Sequence, residues 1–219
     1  MHIPDGFINI PASASFGAAA AGGLWYSLRR AAGYLDDRRI PLAGLAAAFV
    51  FAAQMINFPV AAGTSGHLIG GVLAAVLVGP WLGATVLAVV LVVQAIVFAD
   101  GGLSALGLNI FNMAIVGALG GYLIYALLRR VLPKTRSALS AAAGVAAGIS
   151  VVLAALGFSA QYAIGGAGGV SITTVTTAMV GVHILIGIGE GLITALIVGA
   201  VLSSRPDLVH GAPLEAARG

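Results

Sequence analysis

Apolar residues run along this chain in long stretches of Ala, Val, Leu and Ile, broken at intervals by glycine, proline or charge. The stretches lack the period-2 alternation of a barrel strand. They read as helices, the one open structure that satisfies its own backbone hydrogen bonds in lipid. Seven spans are expected: 13–35, 42–57, 67–79, 82–99, 106–128, 139–164 and 174–202. Between them lie Asp36-Asp37-Arg38-Arg39, the Pro/Gly/Ser-containing connector 58–66, a Gly79-Pro80-Trp81 turn, Asp100-Gly101-Gly102, a loop with Pro133 and Lys134, and the glycines 165–169.

Composition agrees. Of 219 residues 60% are hydrophobic and 8% charged, with mean hydropathy +1.08; soluble domains carry about 25% charged residues. The expected fold is an all-α integral membrane protein, a bundle of about seven transmembrane helices forming a single domain, 1–219, without internal repeats. There is no cysteine, which excludes disulfides and thiolate metal sites. The opening MHIPDGFINI has no basic region and no cleavage site follows the first apolar run, so the amino terminus is expected to persist.

Charge sets the topology. All ten basic residues fall within 29–39, 129–136 and 205–218, at the ends of spans one, five and seven. Those ends share a side, and the positive-inside rule makes it cytoplasmic. The basic residues thus read as topology signals beside membrane lipid, with no nucleic-acid partner. Residues 1–12 become an extracellular segment and 203–219 a cytoplasmic tail. The outer ends then gather His2, Asp5, Asn9, Asn57, Thr64, Ser65, His67, Asp100 and Asn109. Spans two and three reach only ~24 and ~20 Å, short of a ~30 Å hydrocarbon core. The connector 58–66 is therefore expected to dip inward, with His67 at its floor.

A metal chelate is legible at the first two residues. The Met1 amine, the deprotonated His2 backbone nitrogen and His2 Nδ1 can grip one ion in a five- and a six-membered ring, leaving one equatorial position. His67, on the same side, can fill it. Four nitrogen donors suit nickel, copper(II) and cobalt and exclude magnesium and calcium.

Other polar residues have plainer readings beside functional ones. Thr64 and Ser65 are expected to cap the helix after them, with a bond to an imidazole as the alternative. Asp5 caps a turn or offsets metal charge. Asp100 reads first as a loop residue, with attraction of the ion at an outer vestibule as the alternative. Asn109 and Asn112 share a helix face, and Asn109 can support the site. Gln54 and Gln94 read as links between helices. His183 and Glu190, seven apart, share a face of span seven about 10 Å apart; ionisable groups at that depth are usually functional, and a proton-linked or coupling role stands against a protonated Glu190 held by a neighbouring helix. His210 is expected to be solvated. Glycines 181, 187, 189 and 191 suggest close helix packing.

MHIPDGF, GTSGHLIGG around His67, GLNIFNMA and HILIGIGEGLIT together resemble the CbiM/NikM family over nearly the whole chain. These are the substrate-capture membrane components of energy-coupling-factor transporters for cobalt and nickel, and the opening resembles the cobalt branch. The resemblance implies a seven-helix protein of the bacterial inner membrane. It implies that Co2+ (or Ni2+) is the cargo, with no resident cofactor, held by Met1, His2 and His67. It also implies a transmembrane coupling protein, cytoplasmic ATPase subunits and a small CbiN-type accessory membrane protein as partners. The chain has no Walker motif of its own, so it is expected to capture and not to catalyse. A vitamin-capture protein would need an aromatic pocket in place of the histidines. A membrane protease built on Ser65 and His67 would need an orienting acid that the sequence does not offer.

Overall fold

Asn9 accepts a hydrogen bond from the Ala12 amide, and Pro11 sits in the first turn, so α1 starts at Ile10 and runs Ile10–Ala32. In the computed structural model, which describes residues 1–60 and 64–212, six further helices follow. They are α2 (Arg39–Met55), α3 (Gly71–Val78), α4 (Pro80–Val97), α5 (Leu106–Val131), α6 (Arg136–Gly165) and α7 (Ile172–Ser204). Thr135 and Ser171 cap α6 and α7 by accepting from the Ala138 and Thr174 amides. Within α5, Phe111–Gly120 widens into a π-helix.

Four helices, α4 to α7, are long and apolar enough to cross a membrane. α1 has the length, 23 residues, but carries Ser13, Ser15, Ser27 and Arg29-Arg30 and is not among them. α2 has 17 residues.

The third expected span needs correction. α3 has only eight residues and begins at Gly71, not at His67. Three contacts hold the preceding segment out of helix. The Glu190 carboxylate accepts from the Ile69 and Gly70 amides at 2.6 and 2.8 Å, and Gln54 Nε2 donates to the Ile69 carbonyl at 2.7 Å. Gly70, at φ +73°, then admits the turn into α3. The connector is not wholly irregular either: Phe58–Pro59 pairs antiparallel with Ser65–Gly66 as β1 and β2. Its tip, 61–63, lies outside the described residues, as does 213–219 of the expected tail.

α3 is buried on nearly every face, packed against α2, α4, α5 and α6. α6 and α7 form the longest helix pair, where a Cβ on Gly144 would meet the Gly191 carbonyl at 2.6 Å and one on Gly148 the Gly187 carbonyl at 2.9 Å. Gly181 and Gly189 have no such neighbour. The basic ends of α1 and α5 meet the C-terminal segment at one end of the bundle. Here Arg129 donates to the Gly211 carbonyl, and the His210 ring packs against Tyr34 and Tyr122. His210 is therefore half-buried, not solvated, and its amide donates to the Val76 carbonyl at 2.8 Å.

Candidate metal site

The first nine residues are sewn into the bundle. Ile3 donates its amide to Asn109 Oδ1 at 2.8 Å and accepts from the Gly102 amide at 2.9 Å. Asn109 Nδ2 returns to the Ile3 carbonyl at 3.3 Å. Ile8 bridges Gly166, with the Asn9 amide on the Gly165 carbonyl at 2.7 Å and the Ala167 amide on the Phe7 carbonyl at 2.9 Å. Phe7 stacks on Tyr162 and Phe158. Burying Met1, Ile3, Phe7 and Ile8 supplies the apolar energy, on the order of 1.5–3 kcal/mol per large side chain. Gly101 makes room for this docking: at φ +90°, a Cβ there would meet His2 Cδ2 at 3.0 Å and Asn109 Nδ2 at 3.1 Å.

Docking brings His2 to His67. Their rings lie 4.6 Å apart, with His67 Nε2 3.0 Å from His2 Nδ1. The outward nitrogens are committed elsewhere. His67 Nδ1 donates to the Leu68 carbonyl at 2.7 Å, and His2 Nε2 to Gln94 Oε1 at 3.2 Å. With the His2 proton on Nε2, facing Gln94 Oε1, the two facing nitrogens present lone pairs to each other. Asp100 Oδ1 adds a third electron-rich atom, 3.2 Å from His2 Nδ1. The Met1 amine stands nearby and donates to Ser65 Oγ at 3.4 Å.

Burial prepares the donors. It lowers the Met1 amine well below its ordinary 8.0, against the pull of the Asp100 charge. It lowers His2 from 6.5 to about 3, helped by the terminal ammonium and opposed by the Gln94 bond. Both shifts favour the unprotonated form, the state a metal ligand needs. Burial raises Asp100, while the terminal ammonium lowers it. A polar mouth of about 280 Å³, lined in part by His2, Asp5, Ser65 and Asp100, opens beside the rings. Among the described residues no three His, Cys, Asp or Glu side chains form a metal cluster by themselves, so a nitrogen site here needs backbone or terminal donors.

The remaining candidates divide. Asn109 holds the N-terminal segment, as expected of a supporting residue. Asp5 is exposed and ties the segment to the next loop, accepting from the Ser104 amide at 2.8 Å and Ser104 Oγ at 2.5 Å, bonds that lower its carboxyl. Thr64 and Ser65 cap no helix: Thr64 Oγ1 faces Met179 Sδ at 3.6 Å and Ser65 faces the Met1 amine. Glu190 is not held by a neighbouring helix's side chains; it clamps the backbone two residues past His67. His183 is buried, its Nδ1 donating to the Met179 carbonyl at 2.6 Å. Gln94 and Asp100 are the residues that sequence reasoning undervalued. Gln94 is an in-membrane amide like Gln54, and nothing in its spacing pointed to the first histidine. Asp100, beside two glycines, carried the only signal available, its place at the outer end.

Fold and mouth together define the class: a helical membrane protein whose polar chemistry is concentrated where its own amino terminus folds in. The chain belongs to the CbiM family, described as the cobalt uptake substrate-specific transmembrane region, whose model matches residues 2–208. It is 39% identical to a protein of Haloquadratum walsbyi named for metal transport, covering 95% of this chain and 93% of that one. It is 36% identical to the fused nickel transport protein NikMN of Rhodobacter capsulatus, covering 95% of this chain and 64% of that longer one. A crystal structure described as a truncated transition metal transporter superposes with TM-score 0.86 at 30% identity, covering 92% of this chain and 98% of the other. The protein is thus a membrane component for cobalt or nickel transport and not an enzyme.

Proposed function

We propose that this protein captures a Co2+ ion at the outer face of the bacterial plasma membrane and holds it through the Met1 amine, the His2 backbone nitrogen, His2 Nδ1 and His67 Nε2. The observation that carries the reading is the 3.0 Å approach of His67 Nε2 to His2 Nδ1 at the buried amino terminus. Adjacent ligands about 2.0–2.1 Å from one ion stand roughly 3 Å apart. Asp100 offsets the ion's charge, Gln94 and the Leu68 carbonyl fix the ring tautomers, and Asn109 and Glu190 hold the two ligand-bearing segments. The capture subunit works with a transmembrane coupling protein, ATPase subunits and a CbiN-type accessory protein, and ATP hydrolysis on the partners turns the loaded subunit inward. The alignment with a fused nickel protein supports a two-part membrane assembly.

Nickel is the second reading. A flat four-nitrogen donor set favours it over cobalt, and a relative is named for nickel. Calorimetric titration of the purified protein with each ion tests both. The account expects tight binding of one ion per chain, lost in His2→Ala and in His67→Ala while helicity is kept. Binding that survives both substitutions overturns it, and the tighter ion in the unaltered protein decides between the metals.

A further inference from the structure

At the far end of α1 from the metal site, a second cavity of about 490 Å³ opens among Arg29, Arg30, Tyr34, Arg39, Trp81 and His210. Three arginines line it, and among the described residues no carboxylate does. Arg29 stacks on Trp25, 4.3 Å from the ring centroid, and Arg30 sits 5.9 Å from Trp81 and 6.0 Å from Tyr26. Stacking occupies the face of a guanidinium and leaves its N–H edge free. Among the described residues neither Arg29 nor Arg30 has an ion-pair partner. Arg39 reaches Asp36 through Nε at 3.5 Å, yet its Nη1 is buried without any hydrogen-bond partner. A buried charged donor left unpaired is costly unless a ligand completes it. The first turn of α4 contributes no free donor that the cavity needs, because the Leu82 amide is spent on the Tyr34 hydroxyl at 3.1 Å.

We propose that this cavity binds a phosphate-bearing anion, and that the anion is the headgroup of an acidic phospholipid. Arginine forks match the oxygens of a phosphodiester. The surroundings favour lipid over free phosphate: Trp25, Tyr26 and Leu28, all about half exposed, form an aromatic and apolar apron beside the cavity, the arrangement that anchors chains at a bilayer interface. The orientation proposed above places the site in the cytoplasmic leaflet; binding itself does not depend on that orientation.

Native mass spectrometry of the full chain, released from detergent with phosphatidylglycerol added, tests it. Arg29→Gln/Arg30→Gln is compared with Arg130→Gln/Lys134→Gln, which removes the same charge from exposed positions outside the cavity. The account expects the first pair to weaken lipid retention about 30-fold, from two lost charges, and the second to leave it near the unaltered protein. Arg29→Lys/Arg30→Lys, which keeps charge and loses the fork, should fall between and guards against a fold defect. Nickel binding retained in every variant shows the outer site intact, so failure here is separable from failure there. Displacement of the lipid by millimolar inorganic phosphate supports the anion chemistry with free phosphate as a source. Equal retention by all the proteins overturns the proposal.

Discussion

His2 carries most of the site, and its surroundings dictate its state. Buried against Gln94, Asp100 and His67, it has a pKa near 3 in the folded protein against an ordinary 6.5. A base whose pKa falls on folding binds fewer protons folded than unfolded between those values. Its contribution to stability is therefore complete above pH 6.5 and is lost progressively as pH drops toward 3. The unfolding midpoint of the metal-free protein, followed by circular dichroism, should fall gently from pH 8, where the unfolded chain's terminal amine takes up its proton and the buried one does not, and more steeply below 6.5 as His2 joins it. A second outcome concerns the tautomer. Gln94→Leu removes the acceptor that keeps the proton on Nε2, and metal affinity should drop ~10–100-fold with the fold retained. Titration calorimetry reads this directly. The proposed chelate was legible because a histidine at position two needs no fold to suggest its chemistry. Gln94 was not, because an amide in an apolar run looks the same whether it joins two helices or orients a ligand.

At the scale of elements, α3 shows the limit of the apolar pattern. Residues 67–79 read as a span by hydropathy alone, yet Glu190 and Gln54 bind the backbone of 69–70 and delay the helix until Gly71. Such contacts join segments 15 to 121 positions apart, beyond the reach of any local pattern. The long helices were legible to within a few residues from their apolar runs alone; the caps Asn9, Thr135 and Ser171, which start three of them two or three residues earlier than the runs suggest, were not read. The α6–α7 contact offers an outcome at this scale. Gly144 lies so near the Gly191 carbonyl that any side chain must push the helices apart. Gly144→Val should cost about 1–3 kcal/mol, measured as a lowered midpoint of unfolding in detergent, whereas Gly189→Val, with open space at its Cβ position, should change little.

Across the whole molecule, the charge pattern and the docked terminus point the same way. α1, 23 residues long, runs about 34 Å at 1.5 Å per residue and carries Arg29-Arg30 in its last turn, enough to separate a polar mouth from a basic base. The chain has no cysteine, so single reporters can be placed freely. In right-side-out vesicles Asn57→Cys should react with a membrane-impermeant maleimide and Asp37→Cys should not; the reverse pattern would invert the proposed orientation. The proposed capture chemistry is local, and the terminal amine is the donor in it that no side chain supplies. In a Lys134→Arg background Met1 carries the sole remaining primary amine. Acetylating it and titrating cobalt and nickel against the free form measures its part. The account predicts that acetylation lowers affinity at least about 100-fold, the loss of one charge-free nitrogen donor and its chelate ring; equal affinity with and without the acetyl group would contradict it.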